Sequence, residues 1–167
     1  DRTGVGTLAV FGGRVEFERY DILPAAPTVT RRGKVPSRTV VLTFDDGPHP
    51  DFTPRILDVL RDEHVKASFF VVGAQAEREP ELLRRLVREG HEIGNHSFSH
   101  PDLGKIGQHH ADLEINSTNR LFEALTGRGT VLFRPPFRSD DRPTVREDLL
   151  AIQNGERNGM ITVTSTV

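Results

Sequence analysis

Three short clusters hold the residue types that could do chemistry. Thr43-Phe44-Asp45-Asp46-Gly47-Pro48 places two adjacent carboxylates ahead of a turn, and His96-Ser97-Phe98-Ser99-His100 places two imidazoles four residues apart. Phe133-Arg134-Pro135-Pro136-Phe137 places a guanidinium beside two prolines that fix the backbone direction of Phe137. Each cluster also has a bland reading. Asp-Gly-Pro is ordinary turn chemistry, and Asp140-Asp141 is a second acidic pair in a polar loop before a helix. Seven histidines in the chain give about 0.3 such pairs by chance, so His96 and His100 could be solvated loop residues. Arg134 could be a surface side chain on a rigid loop. The chemical reading takes two imidazoles with Asp46 as the third ligand, a donor set for a zinc-like divalent ion with an open position. Two like charges near a strand end need a counter-charge, and Arg134 can supply it.

The rest of the chain must position these clusters. β-branched and aromatic runs predict strands over 39–44, 67–72, 91–95, 131–134 and 160–164. Helical patterns fall between them. The first has Thr53 as N-cap before Pro54, with Ile56, Leu57 and Leu60 inward. The second runs from Pro80 to a Gly90 cap with Leu82, Leu83, Leu86 and Val87 as its stripe. A third carries Leu113, Leu121, Phe122 and Leu125 to Gly127, and a fourth opens on the box Thr144-x-x-Glu147 and stops near Gly159. This alternation predicts an α/β fold with a parallel sheet and right-handed crossovers, either an open doubly wound sheet or part of a barrel, with active groups just past the carboxyl ends of the strands. All three clusters follow predicted strands. Ahead of them, runs at 8–11 and 14–17 around Gly12-Gly13 read as a β-hairpin, and 23–36 as a linker. The expected division is therefore 1–36, hairpin and linker, and 37–167, the chemical domain.

Composition narrows the function classes. With 22 basic and 24 acidic residues the formal charge is −2, which leaves no surplus for tracking nucleic acid. No apolar run of about 18 residues predicts a membrane span, and no basic start followed by an apolar segment suggests a signal peptide. The chain has no cysteine, so a metal must be held by His, Asp or Glu. The other five histidines, His49, His64, His91, His109 and His110, read as solvated or capping.

TFDDGP at 43–48, H-S-x-x-H at 96–100 and R-P-P-F at 134–137 resemble, in order and spacing, the first three motifs of the polysaccharide deacetylase family, the NodB-homology domain or carbohydrate esterase family 4. ASFFVVGAQA and EGHEIGNHSFSHPDL add to the likeness, which extends from Ser37 to about Thr164. The resemblance implies a distorted seven-stranded (β/α) barrel and hydrolysis of N-acetyl groups on amino-sugar polymers such as chitin, peptidoglycan or poly-N-acetylglucosamine. It implies a divalent metal, zinc first with cobalt or nickel as alternatives, held by Asp46, His96 and His100. It further implies Asp45 as catalytic base, Arg134 as its orienting partner, the Phe137 backbone amide as oxyanion donor, and an extracellular or cell-envelope location. The family's fourth and fifth motifs, D-x-x-D-W and L-x-H, are absent from these residues, and the chain has no Trp, the residue the fourth motif would carry. The expectation is a barrel truncated after about five strands, lacking the general-acid histidine. Deacetylase activity should then be small without an extension, and the alternative function is an inactive metal- or glycan-binding remnant.

Overall fold

The computed structural model describes residues 5–11, 14–22, 40–138 and 146–164. The first two stretches are strands β1 (Val5–Phe11) and β2 (Arg14–Ile22), an antiparallel pair closing with Phe11 opposite Arg14. The hairpin is as expected, although its Gly12-Gly13 turn, the 23–36 linker, Asp140-Asp141 and Thr144 lie outside the described residues.

The remaining elements are β3 (Thr43–Asp45), α1 (Phe52–Asp62), β4 (Ser68–Val71), α2 (Gly73–Arg78), α3 (Pro80–Arg88), β5 (Glu92–Asn95), α4 (Gln108–Thr126), β6 (Leu132–Phe133), a 3-10 turn (Pro136–Arg138), α5 (Arg146–Arg157) and β7 (Ile161–Thr162). The five strands form one parallel sheet in the sequential order β3-β4-β5-β6-β7. This is the predicted α/β architecture.

Three of its helix-to-strand connections close the same way. After α1, α3 and α5 the chain turns through a left-handed residue, His64 (φ 57°), Gly90 (φ 79°) and Gly159 (φ 73°). In each, the next amide bonds back five residues, Val65 to Leu60, His91 to Leu86 and Met160 to Gly155, while the left-handed residue's own amide reaches back three. These are Schellman caps, and each feeds the chain toward the following strand.

Two buried clusters hold the sheet to its helices. Leu57, Leu60, Phe69, Val71, Leu83, Leu86, Ile93 and Phe122 belong to one, and Leu103, Ile115, Phe133 and Met160 to the other.

Several expectations are corrected. β3 begins at Thr43, not 39, and Val40, Val41 and Leu42 are exposed. The strand is at the edge of the described sheet and its first paired residue is Thr43, opposite Ser68; of the described residues before it, only the Leu42 carbonyl bonds across, accepting the Ser68 amide at 3.0 Å. Thr53 lies inside α1, where its hydroxyl accepts the His49 amide at 2.8 Å; Asp51 occupies the N-cap position. Leu113 is exposed, because the buried stripe of α4 is Ala111, Glu114, Ile115, Thr118 and Phe122. His91 is buried, its Nδ1 accepting the Ala67 amide at 3.2 Å and its ring edge-on to Phe69.

Candidate metal and hydrolytic site

The carboxyl ends of β3, β5 and β6 bring the three clusters together. Asp45 is the last residue of β3, and the chain turns at once through Asp46 in the left-handed region (φ 69°). The two neighbouring carboxylates therefore separate in direction. Past β5, the amide of His96 donates to the Val71 carbonyl and carries the imidazole to the same rim, 4% exposed. Ser97 (φ 63°) and His100 (φ 62°) then coil the loop so that His100 returns beside it.

His96 Nε2 lies 3.2 Å and His100 Nε2 3.1 Å from one oxygen of Asp46. The three donor atoms lie within 4.8 Å of one another. Ligands bound tetrahedrally at about 2.0–2.1 Å would stand about 3.3 Å apart, so the two Asp46–imidazole separations suit a zinc-sized ion. The second ring nitrogen agrees with this. His96 Nδ1 is 2.6 Å from the Arg134 carbonyl, an acceptor only, so Nδ1 carries the proton and a neutral ring directs its Nε2 lone pair toward Asp46. Burial lowers the His96 pKa, outweighing the Arg134 carbonyl and the Asp45 and Asp46 charges, and this keeps the ring neutral. The donor set fits a divalent cation.

Beside it stands a separate ion pair. Arg134 Nη1 donates to Asp45 Oδ1 at 2.7 Å and to Thr43 Oγ1 at 3.1 Å. Its remaining nitrogens reach the carbonyls of Val163 (3.0 Å) and Thr164 (3.4 Å), and its Cζ sits 3.9 Å over the Phe70 ring. The guanidinium is thus fixed by β3, β4 and the end of β7. Its side chain is 5% exposed while that of Asp45 is 35% exposed, so Asp45 has a set orientation and still meets solvent. Phe137 adopts φ 65° and lays its exposed ring edge-on to His100, with centroids 4.9 Å apart. Four non-glycine residues at this rim, Asp46, Ser97, His100 and Phe137, occupy the left-handed region. Such backbone strain gathers where surrounding structure fixes functional groups.

The structure also brings in residues that motif reasoning missed. Asn95 at the end of β5 accepts the Ser97 amide (2.9 Å) and donates to the Ile115 carbonyl (2.8 Å). Glu114 of α4 binds the histidine loop, and its signal was a carboxylate inside the apolar stripe of a helix. Of the other histidines, His49 stacks near Phe52 with centroids 4.6 Å apart, and the imidazole of His110 stands 3.9 Å from Glu114.

An α/β sheet that gathers two carboxylates, two imidazoles and an arginine past its carboxyl edge has a counterpart among known hydrolases. The family profile described as Polysaccharide deacetylase matches residues 32–152, and the chain belongs to that family. It is 45% identical over 98 residues to a peptidoglycan-N-acetylglucosamine deacetylase of Bacillus cereus, covering 59% of this chain and 36% of that protein. It is 48% identical over 93 residues to a chitooligosaccharide deacetylase of Sinorhizobium fredii, covering 56% and 43%. Among solved structures, the peptidoglycan deacetylase PdaC of Bacillus subtilis superposes with a TM-score of 0.66 at 36% identity, over 76% of this chain and 58% of that one. A pseudoenzyme of carbohydrate esterase family 4 from Bacillus anthracis also superposes, with a TM-score of 0.63 at 27% identity over 74% and 42%. The chain spans less than half the length of these two curated relatives. Among the described residues, no helix is long and apolar enough to cross a membrane.

Proposed function

We propose that this chain carries the metal-binding and proton-transfer face of a hydrolase that removes N-acetyl groups from amino-sugar polymers of the chitin, peptidoglycan or poly-N-acetylglucosamine type. The observation that carries the reading is the presence at one rim of the Asp46-His96-His100 donor set and the Arg134-Asp45 pair, linked by the 2.6 Å contact of His96 Nδ1 with the backbone carbonyl of Arg134. A divalent ion held there, zinc before cobalt or nickel, supplies Lewis-acid polarisation of the acetamide carbonyl. Asp46, His96 and His100 hold it. Asp45, kept in one orientation by Arg134, takes the proton of the attacking water, a role typically contributing about 10²–10⁴-fold. The Phe137 backbone amide donates to the developing oxyanion, a contribution of about 2.7–4 kcal/mol where such donors have been removed. Relatives that act on peptidoglycan and chitooligosaccharides support that polymer class and, with it, an extracellular or cell-envelope location. In this reading residues 37–167 form the catalytic unit and 1–36 an appended hairpin and linker.

The test is amine release from chitin, peptidoglycan and poly-N-acetylglucosamine by the zinc-loaded protein. Release that Asp45→Asn reduces by about 10²-fold or more at unchanged zinc content supports the reading. Zinc uptake with no release from any of the three polymers would overturn it in favour of a metal- or glycan-binding relative.

A further inference from the structure

The loop from His96 to His100 turns two imidazoles onto one carboxylate oxygen within five residues, passing twice through the left-handed region without a glycine. A backbone of that kind persists only where its surroundings over-determine it. Its carbonyl side is held by the start of α2, where the amides of Gly73 and Ala74 donate to Ser97 (3.0 Å) and Phe98 (2.8 Å). Gly73 allows the approach: a Cβ there would stand 2.5 Å from the Phe98 ring and 2.9 Å from Thr118 Oγ1. The loop's two middle amides are held by one residue. Glu114 Oε2 accepts the amides of Phe98 (2.8 Å) and Ser99 (2.7 Å), and Oε1 accepts the Ser99 hydroxyl at 2.7 Å.

Glu114 is 7% exposed and sits on the buried stripe of α4 between Ala111 and Thr118. A buried carboxylate is costly unless its oxygens are satisfied, and here the loop itself supplies the donors. The dependence is mutual: three donors of the loop converge on Glu114, and the loop's two middle amides turn toward the helix. Glu114 reaches neither imidazole through these bonds. It acts on the backbone between them.

We propose that Glu114 is a positioning residue that sets the separation and orientation of His96 and His100 before a metal arrives. This inference rests on the metal-dependent reading above. Glu114→Gln keeps much of the arrangement, since its amide oxygen can accept both backbone amides and its NH2 can donate to the Ser99 hydroxyl. Glu114→Ala removes all three bonds.

The experiment is zinc affinity of the metal-free full chain, measured by competition with a chromophoric chelator well below the melting temperature, together with the melting temperature of each metal-free variant. Loss of outer-shell support typically weakens metal binding about 10–100-fold, and that is the expected rise in Kd for Glu114→Ala. Glu114→Gln should stay within a few-fold of wild type. If Glu114→Ala does not fold, Glu114→Gln combined with Ser99→Ala replaces it. That pair leaves the glutamine NH2 without its acceptor and should bind zinc several-fold more weakly than Glu114→Gln alone. A lowered melting temperature with an unchanged Kd in the folded fraction would show a purely structural role and overturn the inference while leaving the metal site standing. A wild-type chain with no affinity for zinc would overturn both.

Discussion

Gly94 lies opposite Phe70 in the parallel register of β4 and β5, and a Cβ built there would meet Phe70 Cδ1 at 2.4 Å and Cε1 at 2.5 Å. Ordinary contact begins near 3.4 Å, so in Gly94→Ala the ring must move by about 1 Å. Phe70 is 1% exposed and lies under the Arg134 guanidinium, 3.9 Å from its Cζ, so the displacement cannot be relieved into solvent. Overpacking of this kind costs about 1–3 kcal/mol, and at about 2–4 °C per kcal/mol for a chain of this size the melting temperature should fall by roughly 2–12 °C. The perturbation should also reach the Arg134-Asp45 bond. The assay is thermal unfolding of wild type, Gly94→Ala, Phe70→Leu and the double variant. Because leucine vacates the space the new methyl needs, the double variant should be more stable than the sum of the single losses by at least about 1 kcal/mol. A melting temperature within about 1 °C of wild type for Gly94→Ala, or strictly additive losses, would refute the packing argument.

Three further outcomes follow from named contacts. Asp46→Ala should lose zinc while Asp45→Asn keeps it, because only Asp46 faces both imidazoles; equal zinc content in the two variants by elemental analysis would contradict that division. Arg134→Met strands the Asp45 carboxylate and two carbonyls; breaking a buried pair costs about 3–5 kcal/mol, and the partial exposure of Asp45 reduces this to roughly 2–3, read by denaturant unfolding. Burial first, then Lys66 and Arg85, against the opposing charge of Glu89, lower the pKa of His91. Its neutral form therefore stabilises the fold above its unfolded pKa, near 6.5, and that stability is lost as pH falls through the lower folded value. His91→Gln, which can still accept the Ala67 amide, should flatten the melting-temperature profile between about pH 7 and 5; an unchanged slope would assign the acid sensitivity elsewhere.

What was legible in the sequence was what local patterns encode. Apolar runs located all five parallel strands, and Gly90 and Gly127 marked two helix ends, both in the left-handed region. The three motifs each followed a strand, so the topology alone brings them to one rim. What was illegible depends on partners distant in sequence. The short helix α2, Gly73–Arg78, has no strong pattern of its own, and its first amides are satisfied by the Ser97 and Phe98 carbonyls. His91 resembles any polar residue before a strand until the Ala67 amide is seen to donate to it. Glu114 broke the apolar stripe of α4, but its donors lie 15 and 16 residues earlier in a loop. The length of β3 was overestimated because strand propensity at Val40 and Val41 carries no information about whether a neighbouring strand pairs with them.

The central claim, that Asp46, His96 and His100 form one metal site, is tested most directly by titrating the metal-free chain with zinc and counting bound ions per chain by calorimetry. One ion per chain in wild type, with no measurable binding in a His96→Ala, His100→Ala double variant that still melts cooperatively, is the predicted result. Undiminished zinc binding in that folded double variant would contradict the site.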